Sequence, residues 1–450
     1  MIIKNLYDSH IHFLMTGESL QQLSLAKVQN RSDLVSISQS SFLTREDWIT
    51  GFGWDENKFD AGFSLDRTLL DELFLDKYVF FVRADGHSCC VNSKVLNLLG
   101  IDKPTSDLFN KHKDFIEFDS LGIPNGILRE TIHMKVYELL PPYKKSQIKC
   151  MLNTSLQHFL SQGFTHLRDM TTSWSQWEAE LEIFEANEMH AFIEHNFLCD
   201  NIADSDRAIR EIKQAKLTEN FCMKARGIKI FYDGSLGSRT AALSEPYADQ
   251  NDNSGKTLWS RSELKEIIHR TWSEGFDVSV HTIGDRAAND VVQVAREVSA
   301  QGLTGRINLE HVQVLKPETI KLMKPLHIIC HLQPCHWLSD KLWLEKRLGH
   351  LYEFVFPWES LRKAGIPIQF GSDSPIEKSS LSQNLRALKE SGRAGVRSLN
   401  ADPLLFYTCS SQQVPSGETH FKSDFLENFQ VEKVIFNGKI VYLPKNASGH

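Results

Sequence analysis

The sequence predicts an α/β protein built as a parallel (β/α)8 barrel, also called a TIM barrel. From about residue 144 onward, short strands rich in Ile, Val and Phe alternate with helices. One further strand of the same kind lies near the N-terminus, so the pattern of strand and helix repeats eight times. Parallel strands joined by helical crossovers close into such a barrel when eight of them follow one another.

The predicted strands are short and apolar, and helical segments or loops separate them. Their Ile, Val and Phe content is typical of strands. In chain order they are LYDSHIHF (6–13), FTHLRDM (164–170), AFIEHNFL (191–198), GIKIFYDG (227–234), FDVSVHTIG (276–284), RINLEHVQV (306–314), HIICHLQPC (327–335) and IPIQFGSDSP (366–375).

The helices between these strands carry recognisable end signals. Residues 144–163 predict a helix, because apolar residues recur at helical spacing and a glycine stands at its end as a cap. Ser260 and Glu263 have the spacing of a capping box. Pro317 and Pro357 suit the first turns of two further helices.

Two segments lie outside the barrel pattern formed by residues 1–13 and 144–400. Residues 14–143 hold the aromatic-rich pieces GFGWDENKF and YVFFVRADGHSCCVNSKVL, which can form strands of their own. We interpret this stretch as one large insertion after the first strand, and expect it over the catalytic face. The C-terminal segment, 401–450, contains ENFQVEKVIFNGKIVY, which predicts one hairpin.

Composition excludes several classes of partner. The formal net charge is −7 and no run of basic residues occurs, so neither nucleic acid nor an anionic membrane is expected as a partner. No apolar stretch approaches the length of a membrane span, and MIIKNLYDSH lacks the apolar core of a signal peptide. Eight cysteines without a CxxC pair favour reduced thiols and a cytoplasmic location. Whether the chain forms a homo-oligomer stays open.

Side chains that bind metals lie near the ends of five predicted strands, where the active sites of such barrels form. Imidazole and carboxylate are the ligands that Zn²⁺ prefers, and a buried lysine is unfavourable unless it is paired or modified. In chain order these residues are His10 and His12 on the first strand, Lys229 on the fourth, His281 on the fifth, His311 on the sixth and Asp373 on the eighth.

Each of these residues alone has a simpler interpretation. A single histidine can be a satisfied polar residue, and Lys229 can pair with Asp233 or Asp285. Asp373 can cap the helix that follows it. Because all six fall at successive strand ends in order, we expect a divalent metal centre, with zinc the first choice.

The same residues resemble the signature of the amidohydrolase superfamily, with HxH on strand one, Lys on strand four, His on strands five and six, and Asp on strand eight. More closely, the chain resembles the amidohydrolase-3 branch, which contains N-substituted formamide deformylases. The resemblance runs from about residue 8 to about residue 380. It rests on GWDENKF, DGHSCCVNSKVLNLLGI, GILRE, KIFYDGSLGSRTAALSEPYAD, VHTIGDRAAND, LEHVQVL and GSDSPIE.

The resemblance implies one or two divalent ions. In the two-metal form, Lys229 reacts with CO₂ to give a carbamate that bridges the metals. His10, His12 and Asp373 then hold one ion, and His281 and His311 hold the other. One metal with an unmodified Lys229 is the alternative within the superfamily.

One departure concerns the N-terminus. Family members carry several strands before the HxH strand, and these join C-terminal strands in a small β-sandwich. Here only seven residues precede Asp8. We therefore expect a reduced or absent β-sandwich.

The expected reaction is hydrolysis of a non-peptide C–N bond in a small-molecule amide or N-substituted formamide. A metal lowers the pKa of bound water to roughly 7, so that hydroxide can attack a carbonyl that the metal polarises. Asp373 would take the proton and return it to the leaving amine. Six further residues are candidates for shaping the substrate pocket: Trp54, Asp85, His87, Arg129, His336 and Asp340.

Two other functions compete with this interpretation. A metal-dependent deaminase or cyclic-amide hydrolase uses a similar barrel, but Lys229 argues against the mononuclear deaminases. A catalytically silent binding protein would keep the fold alone, and the intact ligand set argues against it.

Overall fold

The computed structural model describes residues 1–40, 42–84, 88–102, 106–393, 398–409, 414–422 and 429–444. The strands in this part of the chain are β1 Ile2–Lys4, β2 Tyr7–Ile11, β3 Leu23–Ser24, β4 Thr44–Arg45, β5 Trp48–Trp54, β6 Tyr78–Arg83, β7 Ser88–Val91, β8 Ile116–Phe118, β9 Pro124–Arg129, β10 His166–Thr172, β11 Phe192–Leu198, β12 Met223–Phe231, β13 Asp277–Thr282, β14 Ile307–His311, β15 Ile328–Leu332, β16 Ile368–Phe370, β17 Gly417–Phe421, β18 Val431–Phe436 and β19 Lys439–Tyr442.

The α-helices of the same residues are α1 Phe13–Gln21, α2 Arg31–Ser38, α3 Arg67–Leu73, α4 Ser93–Leu99, α5 Asp107–His112, α6 Glu130–Tyr137, α7 Lys145–Ser161, α8 Trp174–Glu185, α9 Ser205–Leu217, α10 Arg261–Ser273, α11 Asp285–Ser299, α12 Pro317–Met323, α13 Pro334–Asp340, α14 Leu344–Leu348, α15 Trp358–Ala364 and α16 Leu381–Arg393. Among the described helices, none is both long enough and apolar enough to cross a bilayer. The chain divides into two units, the first comprising Met1–Thr16 and Ser155–His450 and the second Gly17–Thr154.

The first unit contains a parallel barrel whose strands follow the order β2-β10-β11-β12-β13-β14-β15-β16. A parallel bridge between Ile11 and Ser374 joins the first strand to the chain that follows the last strand. Gly371 lies at this closure, where a Cβ atom would come within 2.5 Å of the backbone nitrogen of His10. Every predicted strand is present, and the prediction of a (β/α)8 barrel is confirmed.

The β12 strand shows how the barrel strands sort their side chains. Ile228, Lys229 and Ile230 are all fully buried, although lysine is rarely found in a core. Successive side chains of a strand point to opposite faces, so Lys229 lies on the face opposite to its two apolar neighbours.

The helix ends follow the sequence signals closely. The capping box of Ser260 and Glu263 is present at the start of α10, and Pro317 is the first residue of α12. Pro357 lies one position earlier than predicted, because it is the N-cap residue of α15 rather than part of its first turn. The missing N–H of proline is tolerated at either position, since neither has an intrahelical acceptor.

A small antiparallel sheet accompanies the barrel in the first unit, with strand order β1-β17-β18-β19. The predicted C-terminal hairpin is the pair β18 and β19. The sequence did not reveal β17, nor that Ile2 of the N-terminal strand pairs with His420. The sequence predicted a reduced or absent β-sandwich, and the described part of the first unit has this one four-stranded sheet in addition to the barrel.

The second unit is built on a mixed sheet of order β3-β5-β6-β7-β9-β8, with β4 paired to β5. Phe80 and Phe81 are neighbours on β6 and point to opposite faces of this sheet. Phe81 packs in a core with Leu34 and Leu70, which lie on α2 and α3. Phe80 packs in a second core that includes Leu96 of α4. The second unit therefore has helices on both faces of its sheet.

Candidate metal centre

Three candidate ligands come together at the carboxyl end of the barrel. His10, His311 and Asp373 each offer one ligand atom, and these atoms all lie within 4.8 Å of one another. His12 joins them, because its Nε2 lies 3.1 Å from Oδ1 of Asp373, while Nε2 of His10 lies 3.2 Å from the same oxygen. All four residues are buried.

His10 and Asp373 are placed as two ligands of one metal ion would be. Nε2 of His10 and Oδ1 of Asp373 are buried 3.2 Å apart, and neither forms a hydrogen bond within the described part of the chain. Two atoms that bind one Zn²⁺ at 2.0–2.2 Å with tetrahedral geometry lie roughly 3.3 Å apart. The residues present therefore fit a divalent ion.

The backbone is strained where two of these ligands stand. His311 and Asp373 have φ angles of 73° and 64°, and Val312, a β-branched residue, has a φ of 44°. Left-handed backbone is unfavourable for residues other than glycine and costs roughly 1–3 kcal/mol at each position. Such strain concentrates at functional sites, where the surrounding structure holds it in place.

Glu310 orients the ring of His10 through one of its two nitrogens. Its Nδ1 lies 2.6 Å from Oε2 of Glu310, and Oε1 of the same carboxylate accepts a hydrogen bond of 2.9 Å from Arg168. Burial acts to raise the pKa of Glu310, but the charges of Arg168 and His331 and the contact with His10 hold that pKa well below its usual range. Nδ1 therefore donates to an ionised carboxylate, which leaves Nε2 as the ring nitrogen that can bind a metal.

His311 and His12 are oriented by neutral partners. Nδ1 of His311 lies 2.9 Å from Oε1 of Gln333, whose amide nitrogen donates to the backbone carbonyl of His331. That second bond fixes the amide, so Nδ1 of His311 donates and Nε2 is available as a ligand. Nδ1 of His12 contacts the hydroxyl of Thr171 at 3.1 Å.

In His281 it is Nδ1, rather than Nε2, that is available to bind a metal. Its Nε2 donates to the carbonyl of Gly234 at 3.1 Å, and its buried Nδ1 has no hydrogen-bond partner in the described ranges. The ring centroids of His281 and His311 are 4.5 Å apart. Burial lowers the pKa of His281 to about 3, assisted by the charge of Lys229, and burial holds the pKa of His311 well below its usual value. Both rings are therefore neutral, which is the form that binds metals.

Lys229 is fully buried, and its Nζ has no hydrogen-bond partner among the residues that the structure describes. Burial lowers the pKa of Lys229 to about 8, although Glu310 and Asp373 act in the opposite direction. The alternative that Lys229 pairs with Asp233 or Asp285 is wrong. Asp233 accepts hydrogen bonds from three backbone N–H groups, and Asp285 bonds to Ser244 instead.

Asp373 is ionised in spite of its burial. Burial acts to raise the pKa of Asp373, but the neighbouring His10, His12 and His336 outweigh it and hold that pKa well below its usual range. His336 lies on the far side of the carboxylate, with Nε2 3.2 Å from Oδ2. Asp340 follows one turn later on α13, and burial raises the pKa of Asp340 to about 6.

Two of the other predicted pocket residues belong to the second unit. Trp54 and Arg129 both line a cavity of about 540 Å³ within that unit. Asp85 and His87 lie outside the described residues. The sequence analysis did not select Glu310, although a carboxylate directly beside a candidate ligand in a buried strand was a visible signal.

A barrel whose carboxyl end carries imidazoles, a carboxylate and a buried unpaired lysine is the architecture of a metal-dependent hydrolase. The family model of the amidohydrolase family matches residues 6–385, and the chain belongs to this family.

Known proteins are similar to this chain over most of its length. YtcJ of Bacillus subtilis (strain 168), named as an amidohydrolase, is 30% identical over 376 residues, which are 82% of this chain and 69% of YtcJ. The N-substituted formamide deformylase of Arthrobacter pascens is 22% identical over 343 residues, covering 73% of this chain and 61% of the deformylase. The crystal structure of a metal-dependent hydrolase from Pyrococcus furiosus matches with a TM-score of 0.71 and 27% identity, covering 86% of this chain and 76% of that one.

Proposed function

We propose that the protein hydrolyses a non-peptide C–N bond in a small-molecule amide or N-substituted formamide. The observation that carries this proposal is the cluster of buried ligand atoms of His10, His311 and Asp373, which all lie within 4.8 Å of one another. The similarity to the Arthrobacter pascens deformylase supports the choice of substrate class.

Zinc is the metal that these donors suit first, since neutral imidazole and carboxylate prefer it. We assign His10, His12 and Asp373 to one ion, and His281 and His311 to a second. The distances add His311 to the first group, because its ligand atom lies within 4.8 Å of those of His10 and Asp373. A bound divalent ion supplies an activated water and polarises the substrate carbonyl.

Lys229 has the properties of an amine that accepts CO₂. A pKa of about 8 leaves part of the amine uncharged at neutral pH, and only the uncharged amine has the lone pair to attack CO₂. The new N–C bond gives a carbamate and releases one proton. The change replaces a buried cation by an anion among ligands that attract cations, which removes an unfavourable charge interaction.

Asp373 is the residue that moves the proton. Its two oxygens face different partners, with Oδ1 beside the imidazoles of His10 and His12 and Oδ2 beside His336. As an ionised carboxylate it can accept the proton of the attacking water and return it to the leaving amine. His336 and Asp340 on α13 lie next to this carboxylate, and we assign them to the substrate side of the site.

Product analysis with a defined panel tests the proposal. Zinc-loaded protein is incubated with N-substituted formamides, longer N-acyl amines and aminopurines, and free amine, carboxylate and ammonia are quantified. We expect amine and carboxylate in equal amounts from the amides, and none of either from Asp373→Asn protein that has folded normally. Release of ammonia from aminopurines alone would instead identify a deaminase and overturn the proposal.

A further inference from the structure

Glu310 and Arg168 form a buried ion pair inside the barrel, directly behind a candidate ligand. Glu310 is fully buried and Arg168 is 3% exposed, and the carboxylate and guanidinium are 2.9 Å apart. Burying two charges is costly, and replacing such a pair by apolar residues often raises stability. A buried pair is therefore better explained by what it does for its neighbours than by its own contribution to folding.

The second oxygen of Glu310 shows what the pair contacts. Oε2 lies 2.6 Å from Nδ1 of His10, so one carboxylate joins the guanidinium to the ligand imidazole. A carboxylate behind a metal-binding histidine fixes which nitrogen carries the proton and makes the other nitrogen a stronger donor. Among the described residues, the other three imidazoles form their hydrogen bonds with neutral groups, and the carboxylate beside His281, that of Asp233, lies 3.8 Å from Nε2, beyond hydrogen-bond distance.

Arg168 also holds the strand that carries His10. Its guanidinium donates to the hydroxyl of Ser279 at 2.7 Å and to the backbone carbonyl of Ser9 at 3.1 Å, in addition to Glu310. Ser9 is the residue before His10. One rigid, planar group therefore fixes both the carboxylate that orients the ring and the backbone from which the ring projects.

We propose that Glu310 and Arg168 are positioning residues that set the metal affinity of the site through His10. This inference rests on the proposed function, because it assumes that His10 is a ligand. It assigns unequal roles to the four histidines, with His10 the strongest donor.

Glu310→Gln tests the pair with little change of shape. A glutamine has one acceptor oxygen for two donors, so its amide N–H₂ must face either His10 or Arg168, and one contact becomes repulsive. We expect zinc affinity to fall by about tenfold to hundredfold, as for other partners behind metal ligands. Competition with a chromophoric chelator measures the affinity, and the Co²⁺ absorption spectrum reports the changed ligand field.

Glu180→Gln is the matched control. Glu180 is fully buried and its Oε2 lies 3.2 Å from Nε2 of His195, but it contacts none of the candidate ligands. We expect this variant to lose thermal stability while its zinc affinity and Co²⁺ spectrum stay at the wild-type values.

If Glu310→Gln does not fold, Ser279→Ala tests the inference instead. This variant removes one hydrogen bond of Arg168 without changing a charge. A zinc affinity reduced by about twofold to fivefold is then expected. Wild-type zinc affinity and Co²⁺ spectrum in the folded variant would overturn the inference, as would equal loss of affinity in Glu180→Gln. Wild-type protein that binds no zinc would overturn the proposed function as well, so the two failures are distinguishable.

Discussion

His336 Nε2 lies 3.2 Å from Oδ2 of Asp373, on the opposite side of the carboxylate from the two histidines of the first strand. The two oxygens of Asp373 thereby have different nearest neighbours: Oδ1 lies beside His10 and His12, whereas Oδ2 lies closest to His336 on α13 and 4.0 Å from Nδ1 of His311. This separation suits a residue that holds a metal with one oxygen and moves a proton with the other. It also makes the role of His336 testable apart from metal binding.

We expect His336→Ala to lower kcat while the metal content stays unchanged. Without the imidazole, Oδ2 loses its neighbour and the carboxylate can rotate away from the orientation that proton transfer requires. The loss should be at least about tenfold, part of the roughly 10²–10⁴ that general acid–base catalysis contributes. Steady-state kinetics and elemental analysis of the same preparation measure the two quantities. His336→Gln, whose amide can reach Oδ2, should recover part of the rate, and equal rates for wild type and His336→Ala would refute the role.

Removal of metal should lower the thermal stability of the protein. The site keeps buried ligand atoms that lack hydrogen-bond partners among the described residues, including Nε2 of His10, Nδ1 of His281 and Oδ1 of Asp373. A ligand at one hundred times its Kd stabilises the folded state by about 2.7 kcal/mol. We therefore expect chelation to lower Tm by at least a few °C, and zinc to restore it. Thermal unfolding with and without chelator measures this, and an identical Tm in both would contradict a zinc site.

Much of the fold and part of the site could be predicted because the signals are local. Each barrel strand is an apolar run bounded by recognisable helix ends, and each candidate ligand lies close to its own strand end. Barrel closure then brings these ends together without further information. His10, His311 and Asp373 are thus distant in sequence but predictable as neighbours.

The rest depends on pairings that no local pattern encodes. Glu310 contacts Arg168 across 142 residues and His10 across 300 residues, and neither contact leaves a periodic trace in the sequence. β1 is a three-residue strand that pairs with β17 more than 400 residues away. No turn or residue spacing in the sequence predicts this pairing. Strands as short as β3 and β4 in the second unit likewise carry too few residues for an alternating pattern.

His166 should make the protein less stable in acid. It is fully buried, with Nε2 3.1 Å from the carbonyl of Pro415, and burial lowers the pKa of His166 to about 4. The unfolded chain takes up a proton near pH 6.5 and the folded chain does not, so the stabilisation is fully present above pH 6.5 and is lost as the pH falls toward 4. The difference corresponds to roughly 3 kcal/mol at most.

Urea unfolding at pH 7 and pH 4.5 measures this contribution. We expect wild-type protein to lose more free energy of unfolding between the two pH values than His166→Gln. His327→Gln, at an exposed position, serves as the control and should behave like wild type. The same pH dependence in His166→Gln and wild type would contradict the assignment.

Lys229 gives the sharpest test of the two-metal form of the site. Among the described residues, its buried Nζ has no hydrogen-bond partner. The same atom lies 4.9 Å from the centroid of the Phe231 ring. A free ammonium there would face metal ions of like charge, whereas a carbamate would bind them. We therefore expect Lys229→Ala to lose most activity and at least one metal, while His10 and His12 retain the other.

Three measurements separate carbamate loss from simple damage to the site. Growth with ¹³C-labelled bicarbonate should give a carbamate carbon signal in wild-type protein and none in Lys229→Ala. Short-chain carboxylic acids, which can occupy the space of the carbamate, should restore part of the activity and of the metal content in the variant. Lys316→Ala, which removes a lysine paired with Glu245 outside the candidate ligand set, should leave metal content and rate unchanged. If Lys229→Ala bound two metals and turned over substrate at the wild-type rate, Lys229 would have no bridging role, because the carbamate is the group that joins the two ions.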